Sequence, residues 1–450
     1  MRDTFDLVVI GAGMAGIAAA NKCAAQGWQV GIVDELPYGG TCALRGCDPK
    51  KILRRGAEVI DAAQLMNGTG IDQNGMTLDW PALMARKRGF TDHVPKRMEN
   101  ELTGNGVTTF HGHAEFTGTN ELTIDGTAHR SDRFLIASGA TPRTLDFRGA
   151  GNLIDSTGFL DLDQLPQKIV FIGGGFISFE FAHIAARAGA DCVIIDRGSR
   201  PLRQFDPDLV ELLISRTEQA GIRVLRNTTV TGVEATPAGY RVDIDTTGSA
   251  GSIDTGLVVH GAGRVPNLAS LNLDAAGIAS GARGVAVAAH LQSTTNPAVY
   301  AAGDAADTPG HPLTPVAVFE GKVAASNMIK GTTTTPDYTG VPTTVFTIPE
   351  LNRVGLLEHE AVGNGHDIAV HFTDTSHWYS TYRVAETTAA AKIIIDTASD
   401  QILGAHLLGP DYSELINTFG LAIKLGLTTR QLKSATATYP SLGSDLGSLL

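Results

Sequence analysis

The sequence predicts an α/β protein with two strand–glycine turn–helix–strand units and a separate C-terminal α+β region. Three observations carry this. Residues 7–34 read LVVIGAGMAGIAAANKCAAQGWQVGIVD: an apolar run, a glycine cluster, an alanine-rich helical stretch and a second apolar run. Residues 168–196, KIVFIGGGFISFEFAHIAARAGADCVIID, repeat that rhythm roughly 160 positions later. From about residue 340 the pattern changes to GVPTTVFTIPELNRVGL, then the hairpin-like KIIIDTASDQILGAHLLG, then helical periodicity.

Bulk properties bound the rest. At 450 residues the chain is too long for one ordinary core, so about two to four domains are expected. Apolar residues make up 43% and charged residues 18%, the balance of a globular protein. A net charge of −12 argues against a general nucleic-acid or anionic-membrane binder. The apolar N-terminal run carries Gly11, Gly13 and Gly16, holds Asn21 and Lys22, and ends on Asp34, which suits neither a signal peptide nor a membrane span. The chain therefore reads as soluble and cytoplasmic. Four cysteines are too few for a secreted disulfide scaffold.

Between the two glycine units lie a long helical stretch, from about Pro49 to Leu102, and short alternating segments such as VTTFHGHAEFTGTNELTI. After the second unit comes TVTGVEATPAGYRVDIDT, again alternating, and the composition changes near residue 338.

Gly11-x-Gly13-x-x-Gly16 follows an expected strand and opens an expected helix. The first glycine makes the tight turn, the second lets backbone approach a pyrophosphate at the helix N-terminus, and the third permits close helix–strand packing. Asp34 ends the second strand, where a carboxylate can hold a ribose hydroxyl. The second loop, Gly173-Gly174-Gly175-Phe176-Ile177-Ser178, places a serine where the third glycine would stand. After its second strand, Asp196 favours NADH, whereas Arg197 and Arg203 favour the 2′-phosphate of NADPH.

The stretch GGTCALRGCDPKK, residues 39–51, carries Cys42 and Cys47. Cys23 and Cys192 sit at apolar helix and strand positions and read as core residues, so no second ligand pair supports zinc. In regular helix, five steps would hold the Cα atoms of Cys42 and Cys47 more than about 7 Å apart. A bond between them needs a distorted turn, which the neighbouring glycines permit. Arg45, Lys50, Lys51 and a helix N-terminus would all lower a thiol pKa. The pair reads as a redox dithiol.

At this point the residues resemble the flavin-dependent pyridine nucleotide–disulfide oxidoreductases, which include glutathione reductase, dihydrolipoamide dehydrogenase and mercuric reductase. GGTCALRGCDPKK is similar to that family's redox-disulfide motif. LIASGATPR, GAGRVPN, VYAAGDAA, LTPVAVFEGK, FTIPELNRVGL and ILGAHLLGP extend the likeness along the chain. The resemblance implies two Rossmann-like dinucleotide-binding domains and a C-terminal dimerisation domain. It divides the chain into an FAD-binding domain (1–149 and 268–337), an NAD(P)H-binding domain (150–267) and an interface domain (338–450), assembled as a homodimer. Cys42 would be the interchange thiol and Cys47 the charge-transfer thiol beside the flavin, with Lys50 and Glu180 as an ion pair near its reactive edge. Gly11, Gly13, Gly16, Asp34, Asp304 and Thr314 fall on flavin-side positions, and Gly40, Thr41, Gly139 and Arg264 are further cofactor-binding positions. Gly173, Gly175, Arg197 and Arg203 fall on the nicotinamide side, the two arginines matching those of NADPH-using members; NADH stays open because of Asp196. Electrons would pass from NADPH through FAD to Cys42–Cys47.

The tail departs from the resemblance. Disulfide-reducing members end with a His-Pro-Thr stretch and a Glu five residues after the His, which shuttle the proton of the interchange thiol. Here ATATYPSLGSDLGSLL places Tyr439 at the His position and Ser444 at the Glu position. A phenol with a reference pKa near 10 is a poor base at neutral pH. The glutathione-holding arginines fall on Asn21 and Asn327, and no cysteine follows Cys192. The expected acceptor is therefore a disulfide other than glutathione. A metal ion or quinone is the alternative, and a redox-sensing flavoprotein with little turnover is a third reading. His311, His371, His377 and His406 follow no ligand spacing, and no resident metal is expected.

Overall fold

A computed structural model describes residues 4–450. Its contacts divide the chain into two units, the first built from residues up to Ile52, Ala85–Thr144 and Gly263–Tyr338, the second from Leu53–Met84, Leu145–Ala262 and Thr339–Leu450.

The first unit is organised by the strand Thr4–Ile10. It pairs in parallel with Val30–Asp34 on one side and Thr127–Ile136 on the other, in the register Leu7↔Val30 and Leu7↔Arg133. Thr108–His111 and Val299–Ala301 extend the parallel part. Glu121–Ile124 and Ala114–Gly118 complete the sheet as antiparallel strands. Both faces of the central strand are buried, which is why its sequence is a continuous apolar run rather than an alternation. Leu7 and Val9 face one core, which includes Ala15, Ala19 and Ala20 of the helix Met14–Ala24 and Ala324 and Met328 of Thr314–Lys330. Val8 and Ile10 face another, with Phe116, Phe134 and Leu271. The two helices pack backbone to backbone: a Cβ added at Gly321 would strike the Ala15 carbonyl.

The expected long helical stretch is three helices, Cys47–Leu65, Trp80–Thr91 and Val94–Gly104. The break after Leu65 coincides with glycines 68, 70 and 75, all at positive φ.

In the second unit, Arg223–Leu225, Asp191–Ile195, Lys168–Ile172 and Leu257–His260 form a parallel sheet in that order. The TVTGVEATPAGYRVDIDT run folds as antiparallel Thr228–Thr236 and Gly239–Thr246, joined by Ser249–Thr255. The C-terminal region is a five-stranded antiparallel sheet whose centre is the expected hairpin, Ala390–Asp396 against Ile402–Gly409. Leu415, Ile416 and Phe419 of the helix Tyr412–Leu425 pack with Ile393, Ile395 and Leu407 of that hairpin.

The helix Phe176–Arg187 is buried nearly all round. Phe159 stacks on its Phe181 with ring centroids 4.3 Å apart. A helix so enclosed must satisfy its polar side chains internally. Arg187 donates to Asp61 Oδ1 (2.7 Å), Asp61 also accepts from Arg216 (3.2 Å), and Arg216 reaches Glu386 (3.0 Å). His183 Nδ1 accepts from the Ile348 N–H (3.1 Å), and its Nε2 pairs with Thr217 Oγ1 (2.9 Å). Burial, reinforced by Arg187 and Arg216, holds His183 well below the usual histidine range, so it stays neutral. Two arginines and two carboxylates balance in this cluster, and Asp61 is shared by both arginines. Asp61→Ala is expected to destabilise the fold by about 3–5 kcal/mol, since it strands buried charge; a lower urea midpoint at unchanged slope would report it.

Candidate active site: a dithiol and two glycine loops

The first glycine loop is shaped by contact. Gly11 has φ +106°, and a Cβ there would run into the Ala137 carbonyl. A Cβ at Gly16 would strike the Gly11 carbonyl. Gly13 caps the helix Met14–Ala24 without a side-chain bond, and a Cβ on it would stand 3.9 Å from the Cα of Gly40. The helix N-terminus is thus bare and approachable, as a phosphate site needs. Asp34 Oδ2 accepts from the Ala12 N–H (2.7 Å) and Oδ1 from the Leu36 N–H (2.8 Å). Burial raises the Asp34 carboxyl, opposed by those two bonds. Asp34, Gly11, His113, Ser138 and Asn267 line a cleft of about 380 Å³ counted to its open mouth.

Gly139 and Arg264 meet nearby. The Asn267 N–H donates to the Gly139 carbonyl (2.9 Å), and Arg264 donates to the Ala140 carbonyl. Asp304 lies in the turn Gly303–Ala305, where burial raises its carboxyl and Arg264 opposes the rise. Glu320 escaped the sequence reading. It is 1% exposed and accepts from the Gly303 N–H (2.7 Å), Thr308 Oγ1 (2.8 Å) and Tyr338 OH (2.7 Å), holding the turn that presents Asp304. The available signal was an acid within the apolar run TPVAVFEGKVAA.

The dithiol sits on the distorted turn its spacing required. Gly40 takes φ +63°, Thr41–Arg45 form one wide π-type turn, Gly46 breaks it, and Cys47 is the first residue of the helix Cys47–Leu65. The two cysteines are not joined in a disulfide; Cys42 is half-buried and Cys47 exposed. The two are hydrogen-bonded to one another, and Thr314 Oγ1 lies 3.6 Å from Cys47 Sγ. Sequence reasoning had positive neighbours lowering the thiols, and for Cys42 the structure reverses this. Its thiol is pushed far up, first by the hydrogen bond with Cys47, then by burial, then by charge on Cys47. Cys42 therefore keeps the proton of the reduced pair and directs it at Cys47, which occupies the helix position that favours negative charge. Lys50 is buried one turn further on.

In the second unit, Gly173 has φ +112°, and a Cβ on it would hit the backbone of Ala262. Gly175 caps the helix Phe176–Arg187 with no side-chain bond. Ser178 fits the third-glycine position because Gly261 faces it, and a Cβ there would strike Ser178 Oγ. Glu180 is 1% exposed, and its Oε1 accepts from the Phe346 N–H (2.7 Å). Asp196 follows the strand Asp191–Ile195 beside the loop, taking the Gly198 N–H (3.2 Å). Arg197 and Arg203 are exposed on the segment that follows.

The departures have structural correlates. Asn327 is fully buried; its amide donates to the His290 and Thr334 carbonyls (3.0 and 2.8 Å), and its oxygen takes the Thr334 N–H (3.0 Å). It is a bracket within the fold. Asn21 pairs with Glu101 and Asn105. Tyr439 is 80% exposed, and Ser444 exchanges bonds with Ser441 in a local turn. Cys23 and Cys192 are buried, the Cys23 thiol pushed by burial up to about 12. His371 and His377 are exposed, whereas His406 is buried and bonds the Leu356 carbonyl (3.0 Å). Among the described residues no His/Cys/Asp/Glu group is arranged to hold a metal, and no helix is long and apolar enough to cross a membrane.

A bare glycine loop beside a helix-borne dithiol, with a second such loop in the other unit, defines a dinucleotide-dependent dithiol oxidoreductase. The chain belongs to the pyridine nucleotide–disulphide oxidoreductase family, whose profile matches residues 5–321 and whose dimerisation-domain profile matches residues 341–449. It is similar to glutathione reductase from Burkholderia cepacia, at 31% identity over 445 residues, covering 99% of this chain and 98% of that protein. It is 32% identical to dihydrolipoyl dehydrogenase from Chlamydia muridarum over 449 residues, covering 98% and 95%. Mercuric reductase from Lysinibacillus sphaericus is 29% identical over 447 residues, covering 99% and 82%. Among solved structures, the Cu(II) complex of the HOCl-induced flavoprotein disulfide reductase RclA from Escherichia coli superposes with a TM-score of 0.89 at 26% identity, covering 100% and 99%. The family uses FAD and a pyridine nucleotide.

Because the Cys47 hydrogen bond is the largest cause of the raised Cys42 thiol, Cys47→Ala is expected to lower it. Alkylation of Cys42 by iodoacetamide at pH 8, followed by peptide mapping, should then be faster than in the reduced wild type. A slower or unchanged rate would contradict the shared-proton arrangement.

Proposed function

We propose that the protein is an NADPH-dependent reductase in which Cys42 and Cys47 hand electrons to an acceptor that needs no proton from a C-terminal histidine. The observation that carries this reading is the Cys42–Cys47 hydrogen bond at the head of a helix, beside Thr314. FAD fits residues 1–149 with 268–337: the bare N-terminus at Gly13, the close Gly13–Gly40 approach and the cleft at Asp34 suit its diphosphate and ribose. When bound, the flavin supplies the two-electron relay between nicotinamide and sulfur. Gly40, Thr41, Gly139, Arg264 and Asp304 would orient it, and Thr314 would meet its ring. Gly173 and Gly175 would take the NADPH diphosphate within residues 150–267, with Arg197 and Arg203 on its 2′-phosphate. Lys50 and Glu180 would set the charge at the hydride-transfer edge. Residues 338–450 would pair two copies.

In the reduced pair Cys42 carries the proton and Cys47 the negative charge. Cys42 is then the sulfur that meets the acceptor, attacking as thiolate once its proton has passed along the hydrogen bond to Cys47, and Cys47 is the sulfur that closes the disulfide behind it, its proton leaving with the reduced acceptor. Position 439 holds an exposed tyrosine where the resemblance expects the proton-carrying histidine. The enclosed Asn327 offers nothing to a glutathione carboxylate. Both features turn the reading away from glutathione.

A second reading, reduction of a metal ion, is favoured by one observation: a structural neighbour that matches the whole chain is a Cu(II) complex. A soft dithiol is a suitable landing site for such an ion.

The holoprotein is expected to be yellow, and anaerobic NADPH should produce a long-wavelength charge-transfer band that Cys47→Ser abolishes. An acceptor panel of glutathione disulfide, other small disulfides, a quinone and Cu(II) then separates the readings. Wild type should turn over glutathione disulfide poorly, and Tyr439→His should raise that rate. Rapid glutathione disulfide turnover by the wild type would overturn the reading of the tail.

A further inference from the structure

The segment that carries Arg203 is held from outside its own sheet. Leu202 adopts φ +48°, a conformation uncommon for a non-glycine residue, with its N–H on the Gly174 carbonyl (2.8 Å) and its carbonyl accepting the Phe205 N–H (2.8 Å). Just beyond Arg203, the Gln204 carbonyl accepts from Arg353, a residue of the strand Glu350–Gly355 that is 8% exposed. Arg353 is itself braced by Glu360 (2.6 Å) and the Gly355 carbonyl (3.2 Å). Two residues further on, Asp206, 1% exposed, accepts from Lys392 Nζ (2.8 Å) and caps the helix Pro207–Gln219 through the Asp208 and Leu209 amides.

Arg353 and Lys392 both register with His406 across the C-terminal sheet, so the three side chains form one row on one face. Burial holds His406 down at about 4, leaving it neutral between the two cations. The row meets a stretch rich in oxygen: the Gln204 carbonyl, Asp206 and Asp208. Arg203 is thus caught between a left-handed residue tied to the second glycine loop and a carbonyl tied to Arg353. Its neighbour Arg200 donates to the Arg203 carbonyl (3.0 Å) and tightens the same turn. Little freedom is left in where the Arg203 side chain starts.

We infer that Arg353 is a positioning residue for cofactor choice: by holding the Gln204 carbonyl it aims Arg203 at the 2′-phosphate of NADPH. The inference rests on the proposed reading of Arg203 as a phosphate clamp. Arg353 itself touches no cofactor in this scheme.

The test uses the FAD-loaded protein and the ratio of kcat/KM for NADPH to that for NADH. Arg353→Met is expected to lower that ratio about 10-fold, the scale of one charge-assisted contact. A general loosening would lower both cofactors in proportion and leave the ratio in place. Arg353→Lys offers a point charge in place of the planar fork that serves three partners and should lower it about 3-fold; this variant carries the test should Arg353→Met fail to fold. Arg203→Ala is measured alongside. If Arg203→Ala lowers the ratio and neither Arg353 variant does, the positioning role is overturned and the clamp stands. If wild type prefers NADH, or Arg203→Ala leaves the ratio unchanged, the clamp reading fails and takes this inference with it.

Discussion

The structure depends on backbone meeting backbone at its glycine loops. At Gly11, Gly16 and Gly173 a single Cβ would land on a carbonyl or main-chain carbon. Side chains can rearrange around a clash with another side chain; a sheet carbonyl cannot move without breaking its ladder. These positions therefore set how close each helix comes to its sheet and leave the helix N-termini uncovered. An end that no side chain caps is what a diphosphate requires. The same rule explains Ser178. A third glycine is unnecessary there because the opposing residue, Gly261, has already made the room.

Close approach has a consequence for the second helix. Phe176–Arg187 is enclosed almost completely, so each polar group on it needs a partner within the protein. For Glu180, His183 and Arg187, Asp61, Thr217 and the backbone at Phe346 and Ile348 supply them, with Arg216 joining through Asp61. Those partners come from distant parts of the sequence, and they bind the carboxylate of Glu180 into the same framework. Glu320 does similar work in the first unit, where one buried acid holds the Gly303 amide, Thr308 and Tyr338.

The dithiol combines a local rule with a tertiary one. The four residues between the cysteines are too many for a regular turn to bring the sulfurs together, and the wide turn between Gly40 and Gly46 resolves this. What that turn creates is asymmetry. Cys47 heads a helix and is open to solvent, whereas Cys42 is half-buried and holds the proton. Tyr439 stands exposed at the position where the family resemblance expects a histidine.

Much of this was legible in the chain alone. Glycine spacing, the all-apolar strands and the CALRGC stretch identify both dinucleotide units and the dithiol, because each is a short-range pattern set by local backbone geometry. The tail substitution was equally legible, since it is a change of residue type at a matched position. The charge state of Cys42 was not: sequence showed positive neighbours, but the hydrogen bond to Cys47 and burial outweigh them. Nor were Glu320, Asp61 or Arg353 legible, because a lone charged residue in an apolar run says nothing about its partner. The sequence by itself determined the fold class, the family and where the two glycine loops and the cysteine pair lie. Only the tertiary structure decided which sulfur keeps the proton and which buried charges hold the site in place, because those depend on solvent exclusion and on contacts between residues more than a hundred positions apart.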